Sequence, residues 1–183
     1  IEAVLNDLLN SAIRPVVLDV LNPTAAGQIA ADARQEFPSD QPVLIIGLEG
    51  TDRETVWQVD QLKEELKSHQ PASIEVTGDE SATRLLQALT EYQTASDSPA
   101  TFQASLLPSE TIAFIEQATS QGVAIQSHAG DGCVIGHLPD ETSTIEQAAE
   151  LLQPLRQQAC RAGGNLMLLD CDADWSAQLP ILG

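Results

Sequence analysis

The sequence has few basic residues and lacks long hydrophobic runs. Lysine and arginine together number 8, against 27 aspartates and glutamates among 183 residues, so the formal net charge is −19. Nucleic acids and anionic lipid surfaces are bound by basic patches, and the charge therefore argues against both partners. The chain contains no apolar run near the ~18 residues that identify a membrane-spanning helix. These absences predict a protein with no nucleic-acid partner and no membrane span.

Cysteine is also sparse, and no targeting signal opens the sequence. The 3 cysteines, at positions 133, 160 and 171, form no Cys-x-x-Cys pair, so no structural zinc site is indicated. An odd, sparse set is typical of reduced thiols in a cytoplasmic protein. The first residues, Ile1 to Val4, have neither a basic signal region nor a start methionine. We therefore expect a cytoplasmic location, with a membrane-peripheral position open only through partner subunits.

Several common functional motifs are missing. The sequence contains no phosphate-binding loop, no His-Glu-x-x-His and no Gly-x-Ser-x-Gly. The Gly-Asp-Gly at 130–132 lacks the third glycine of a dinucleotide fingerprint and is predicted to lie in a hairpin. The alternating aspartates at 170–174 lack the glycine and the distal glutamate of a calcium loop. Any function must therefore be inferred from other residues.

Hydrophobic periodicity predicts an α+β chain. In the first part, Thr51 and Glu54 have the form of a capping box at the start of a helix. The predicted elements there are helix 2–10, strand 16–21, an insert at about 22–41, strand 43–49, helix 52–69 and strand 73–77, with a further helix from 79. The second part is predicted to contain strand 102–107, a helix from 108, strand 123–128, strand 133–138, a helix from 143 and strand 166–169.

The order in the second part is β-α-β-β-α-β, which is the ferredoxin-like unit. The first part fits the same unit if its first strand is missing, which suggests a truncated chain. We therefore predict duplicated ferredoxin-like units, residues 1–95 and 101–183, which together form one domain. In this prediction the helices pack on one face of an antiparallel sheet, and another chain or a missing domain covers the bare face.

One stretch resembles a known family. Residues 127–137 have the sequence S-H-A-G-D-G-C-V-I-G-H. This stretch is similar to the His-x-Gly-Asp-Gly-x-x-His motif of the FAD-linked oxidase C-terminal domain, the cap domain of flavoenzymes related to glycolate oxidase, D-lactate dehydrogenase and vanillyl-alcohol oxidase. Residues 14–22 and 46–50 look like two strands in the first half of that domain. The resemblance covers nearly the whole chain, and it implies a duplicated ferredoxin-like architecture.

The chain departs from the family motif at its second histidine. Catalytic subunits of the family have two histidines seven positions apart that can hold a divalent metal, but here Ile135 follows His128 at that spacing. If Asp131 and Gly132 form a two-residue turn, Ile135 faces His128, and His137 lies about 7–8 Å away on a diagonal. A metal site of His128 and His137 is one alternative. We prefer two hydrogen-bonded strand histidines and expect no metal.

The family's later Glu-His-Gly motif is absent as well, and Gly-Gly-Asn-Leu occupies residues 163–166 in that region. These departures are closer to the smaller FAD-domain subunits of bacterial glycolate oxidases than to the catalytic subunits. The resemblance therefore implies the C-terminal domain of such a subunit.

The resemblance also implies a function. The parent reaction is the oxidation of a small 2-hydroxy acid to a 2-keto acid by FAD, and the FAD is bound mainly by a domain outside this chain. The implied partners are the FAD-binding domain of the same subunit and the other subunits of an oxidase complex. His128 is the candidate catalytic residue because it could polarise or deprotonate a hydroxyl. Arg14 and His137 are candidate substrate-binding residues, although a surface ion pair is the preferred alternative for Arg14.

Two other functions remain open. Tandem ferredoxin-like units also serve as non-catalytic interaction or ligand-sensing modules, and the altered metal motif is compatible with such a role. A metallohydrolase would need a metal held by His128 and His137. On the flavoprotein hypothesis, the chain alone should neither bind FAD tightly nor turn over substrate.

Overall fold

The computed structural model describes residues 1–38, 40–94 and 97–181, and it shows an α+β protein. The helices of the described residues are α1 (Glu2–Asn10), α2 (Pro23–Ala33), α3 (Asp52–Leu66), α4 (Asp79–Glu91), α5 (Thr111–Ser120) and α6 (Ile145–Arg161). The strands are β1 (Val17–Leu21), β2 (Val43–Gly47), β3 (Ala100–Ser105), β4 (Ala124–His128), β5 (Cys133–His137) and β6 (Asn165–Cys171). In these three described segments, no helix has the length and apolar character that crossing a membrane requires.

The strands form one antiparallel sheet. Its 6 strands follow the order β2-β1-β4-β5-β3-β6, and every neighbouring pair is antiparallel. The pairing of β1 with β4 joins the first part of the chain to the second. Within the second part, α6 connects β5 to β6, but these two strands are not neighbours, because β3 lies between them. The sheet thus extends across both predicted halves.

The predicted duplication of ferredoxin-like units is not confirmed. Of the described residues in the first part, only those of β1 and β2 join the sheet, and the strand predicted at 73–77 does not form. Ile74 and Val76, which suggested that strand by their alternation, are 42% and 57% exposed. Alternating hydrophobicity indicates an extended segment, but a strand also needs a neighbouring ladder to pair with. The predicted boundary between the halves includes residues 95–96, which lie outside the described residues.

Helices pack on both faces of the sheet, so the prediction of helices on one face is wrong. α5 and α6 share a core with Phe102, Ile125 and Val134. α2 and α4 pack on the opposite face, where they cover Ala124 and Ile135. Because successive strand residues point to opposite faces, Ile125 and Ala124 belong to different layers. The segment predicted as an insert contains α2, and its small alanine side chains allow close packing on the sheet.

A buried asparagine fixes the start of α2 against the second part of the chain. Asn22 is the N-cap of α2, and its side-chain oxygen accepts hydrogen bonds from the backbone N–H of Ala25 at 3.1 Å and of Ile125 at 2.9 Å. Its amide group donates to the carbonyl of Val123 at 2.8 Å and to the hydroxyl of Thr119 at 3.0 Å. One side chain therefore holds β1, α2, α5 and the start of β4 together. These contacts position the layer that carries the candidate site.

Candidate functional site

An open cleft of about 370 Å³ lies between α4, β1 and the end of β4. α4 contributes Leu86, Leu89 and Thr90 to its wall. The opposite side is formed by the residues at 15–19 and by the loop that follows β4. His128, the last residue of β4, lines this cleft. The predicted catalytic residue therefore lies where a small molecule could reach it.

His128 forms a pair with a buried carboxylate. Its Nδ1 atom lies 2.8 Å from Oδ1 of Asp19, and the two residues are direct partners in the β1–β4 ladder. The side chain of Asp19 is 3% exposed, whereas that of His128 is 46% exposed. We call these two residues the dyad. Because Nδ1 is occupied by the carboxylate, Nε2 is the ring nitrogen that remains for a ligand.

The carboxylate also changes the acidity of the imidazole. The hydrogen bond that His128 donates to Asp19 raises the pKa of His128 above its ordinary value, although partial burial acts in the opposite direction. The negative charges of Asp19 and Asp131 add to the increase. When His128 is neutral, a proton on Nδ1 is donated to Asp19 and Nε2 is an acceptor. A raised pKa makes Nε2 of the neutral ring a stronger base.

Asp19 was not predicted as a site residue from the sequence. It lies within the apolar strand sequence V-V-L-D-V-L at 16–21, on the face of β1 that also carries the buried Leu21. A charged side chain on a buried face is costly unless it is paired. An aspartate at this position of the strand was therefore the sequence feature that could have indicated a paired, functional carboxylate. Its partner could not be identified from local sequence, because His128 follows 109 positions later.

The hairpin that carries His128 differs from the prediction. His128 pairs with Cys133, and Ile135 pairs with Gln126, so the predicted pairing of Ile135 with His128 is wrong. The turn contains the four residues 129–132 instead of two. Oδ1 of Asp131 accepts a hydrogen bond from the backbone N–H of Cys133 at 2.9 Å, which holds the turn closed.

Gly132, the second glycine of the Gly-Asp-Gly sequence at 130–132, has a structural role in the hairpin. It has a φ of +76°, and a Cβ atom at this position would lie 2.1 Å from the carbonyl oxygen of Leu106. The backbone of Gly132 accepts a hydrogen bond from Leu106 N–H at 2.9 Å. A glycine is therefore required for this loop to pack against the end of β3. The Gly-Asp-Gly sequence supports the hairpin, and His128 lines the cleft together with Gly130 and Asp131.

His137 lies away from the cleft. It pairs with Ala124, four positions from His128 along β4, which corresponds to about 13 Å at ~3.3 Å per residue. His137 is 1% exposed, and its ring stacks on that of Tyr92 with a centroid distance of 4.3 Å. The two histidines are too far apart to hold one metal ion. Among the described residues, neither ring nitrogen of His137 has a hydrogen-bond partner. The preferred interpretation was that both strand histidines are hydrogen-bonded. It is correct for His128 and wrong for His137.

No group of three or more His, Cys, Asp or Glu side chains with metal-binding geometry occurs within residues 1–38, 40–94 and 97–181.

Arg14 also lies outside the cleft lining. Its guanidinium group donates to the carbonyl oxygens of Ser11 and Ile13, beyond the C-terminal end of α1. In the described part of the chain Arg14 forms no ion pair, so the surface ion pair preferred from the sequence is not found. The described cleft lining contains the carboxylates of Asp19 and Asp131 but no lysine or arginine. A substrate carboxylate would therefore need a cation from elsewhere.

The buried position of His137 predicts a loss of stability in acid. Burial lowers the pKa of His137 from 6.5 to about 4, although Asp140 acts in the opposite direction. The neutral ring therefore favours the folded state above pH 6.5, and this contribution is lost as the pH falls from 6.5 to about 4. A full shift of this size corresponds to about 3 kcal/mol. Urea unfolding of the wild type should show this loss, and His137→Phe, which keeps the stacked ring, should remove most of it.

An equal loss of stability in wild type and His137→Phe between pH 6.5 and 4 would contradict the assignment.

The chain matches no protein-family model, and a search of curated proteins finds no match. The resemblance to the FAD-linked oxidase C-terminal domain therefore depends on the sequence motifs described above.

Proposed function

We propose that this domain is the cap of a FAD-dependent oxidoreductase of the glycolate oxidase type, in which the dyad takes the hydroxyl proton of a small 2-hydroxy acid. The observation that carries the proposal is the half-exposed His128 held by the buried Asp19 at 2.8 Å in an open cleft. Oxidation of a 2-hydroxy acid to a 2-keto acid removes one proton from oxygen and a hydride from carbon. A positioned imidazole with a free Nε2 suits the first of these tasks.

The residues that line the described cleft do not fit FAD itself. The cofactor carries a negatively charged pyrophosphate, which proteins bind with helix N-termini, glycine-rich turns or basic side chains. The described cleft lining is acidic and lacks lysine and arginine, and its volume of about 370 Å³ suits a small molecule. In the proposed protein, another domain therefore binds FAD. The role of this chain is to supply the base and one wall of the pocket.

The cleft also restricts the substrate. Its apolar side chains, among them Val17, Leu86 and Leu89, can contact a short aliphatic chain, while His128 contacts a hydroxyl. The acidic residues nearby would repel a substrate carboxylate. The proposed substrate is therefore oriented with its hydroxyl toward His128 and its carboxylate toward the neighbouring domain. Neither Arg14 nor His137 is assigned a substrate contact in this arrangement.

Exposed apolar side chains are available for contacts with partner subunits. Val56 and Trp57 on α3 are 62% and 53% exposed, and Ile74 and Val76 lie on the extended segment that follows. Large exposed apolar side chains are common at protein interfaces. They fit the expected oxidase complex, and they also fit the alternative of a non-catalytic interaction module. Activity of the dyad distinguishes the two functions.

The test uses the full-length flavoprotein with bound FAD, mixed without oxygen with glycolate, with lactate, or with methoxyacetate. Methoxyacetate has no hydroxyl proton for the dyad to remove. We expect the two hydroxy acids to reduce the flavin and methoxyacetate to leave it oxidised. A protein that binds no FAD, or whose flavin is reduced by neither hydroxy acid, would overturn the proposal in favour of the interaction module.

A further inference from the structure

Gln126 is a buried polar residue on the same face of the sheet as the dyad. It lies two positions before His128 on β4, and it is 1% exposed. Its partners in the neighbouring strands are Leu21 and Ile135, which are both apolar and buried. A buried primary amide among apolar side chains is costly unless its protons are bound. Its hydrogen bonds therefore indicate why an amide occupies this position.

Both contacts of the amide nitrogen lead to the candidate site. Nε2 of Gln126 donates to Oδ2 of Asp19 at 2.8 Å and to the carbonyl oxygen of Leu89 at 3.1 Å. The other oxygen of Asp19, Oδ1, is bound to His128. The carboxylate is thus held at both of its oxygens. Leu89 belongs to α4 and lines the cleft, so the same amide links the dyad to the cleft wall.

We propose that Gln126 is a positioning residue that sets the tautomer of His128. This inference rests on the proposed function of the dyad, because the tautomer matters only if Nε2 accepts a proton. The final torsion of an aspartate side chain is broad and leaves the carboxylate free to turn. A donor on Oδ2 selects the orientation that presents Oδ1 to the imidazole. The proton of the neutral ring then stays on Nδ1, and Nε2 is kept as the acceptor.

Because Gln126 also donates to the carbonyl oxygen of Leu89 in α4, the orientation of Asp19 depends on the position of the cleft wall. The carbonyl of Leu89 fixes one amide proton of Gln126 and thereby directs the other toward Asp19. A movement of α4 would loosen this clamp and the orientation of the carboxylate together. A glutamine that only satisfied buried polar groups would affect stability, whereas a positioning residue also affects the proton on the imidazole.

The experiment measures the ¹⁵N chemical shifts of His128 in this chain, at a pH where the ring is neutral. Gln126→Met has a similar volume and removes both donors. We expect the fraction of Nε2–H tautomer to rise about tenfold in this variant, which is the effect of losing one hydrogen bond to a charged group. Gln103→Met is the matched control, because Gln103 lies on β3 in the same row of the sheet, opposite Ile135. It should leave the tautomer unchanged, and a wild-type tautomer in folded Gln126→Met would overturn the proposal.

A second measurement needs no variant. The two side-chain amide protons of Gln126 should exchange with solvent at least about tenfold more slowly than those of Gln103, because both protons of Gln126 are hydrogen-bonded in the core. Exchange as fast as that of Gln103 would contradict the clamp, even if Gln126→Met failed to fold.

The kinetic consequence is tested in the full-length flavoprotein. Gln126→Met should lower kcat about tenfold while KM for glycolate stays near its wild-type value, because the residue orients the base without touching substrate. An unchanged kcat would overturn the positioning role. If the wild-type protein does not oxidise hydroxy acids, the proposed function fails, while the tautomer measurement still decides whether Gln126 holds Asp19 and His128.

Discussion

Replacement of His128 by glutamine should reduce the rate of flavin reduction by glycolate about 10²–10⁴-fold in the proposed flavoprotein, the usual contribution of a positioned general base. Glutamine keeps much of the size and polarity of the imidazole, but it cannot accept and carry away a proton at neutral pH. The affinity for the substrate should change much less than the rate, since the cleft wall is retained. Stopped-flow measurement of the flavin absorbance gives both quantities.

His69→Gln provides a matched control for this prediction. His69 also pairs with an aspartate, Asp7, at 2.8 Å, but neither residue lines the described cleft, and the side chain of Asp7 is 69% exposed. Replacement of His69 should leave the rate within about twofold of the wild type, because a group outside the cleft takes no proton from the substrate. Equal rates in His128→Gln and His69→Gln would contradict a catalytic role for the dyad. A large decrease in both would indicate damage to the fold.

Gly164→Ala should produce a large loss of stability, about 2–4 kcal/mol, by forcing an atom into occupied space. A Cβ atom at Gly164 would lie 1.9 Å from the carbonyl oxygen of Ser105 and 3.0 Å from its carbonyl carbon. These are backbone atoms at the end of β3, so the conflict cannot be relieved by turning a side chain. The loop before β6 must move away from the sheet. Thermal unfolding should show a decrease in Tm of about 5–15 °C.

The control for Gly164→Ala is Gly27→Ala in α2. Gly27 has no heavy atom within 4 Å of an added Cβ, and it lies in the interior of the helix. Alanine should stabilise the protein there by about 0.5–1 kcal/mol through its higher helix propensity. The two substitutions add the same methyl group, so opposite signs separate the packing conflict from the chemical change. A Tm for Gly164→Ala equal to or above that of the wild type would show that the loop is not packed as described.

The sequence was most informative where structure is local. The helical stripe in α1 and the apolar run in β2 predicted elements that the structure contains. The capping box of Thr51 and Glu54 is confirmed, because each residue binds the backbone of the other. Such signals depend on residues within a few positions of one another, and they can be recognised without knowledge of the fold.

Long-range features could not be predicted in the same way. The alternation at 73–77 is a property of the segment, but strand formation depends on a partner elsewhere. The turn after His128 contains four residues because Asp131 and Gly132 close it against Cys133 and the end of β3. The dyad itself joins two strands that are remote in sequence. His128 was identified from the motif, while Asp19 and Gln126 became evident only when β1 and β4 were placed side by side.

Titration of His128 by NMR, in this chain and in Asp19→Asn, measures the effect of the carboxylate on the imidazole. We expect a pKa above 6.5 for His128 in the wild type, because Asp19 stabilises the protonated ring. Asparagine removes the negative charge and should bring this pKa back toward 6.5 or below it, with the fold intact. A pKa of His128 that is the same in the two proteins, or that lies below 6.5 in the wild type, would show that Asp19 does not prepare His128 to act as a base.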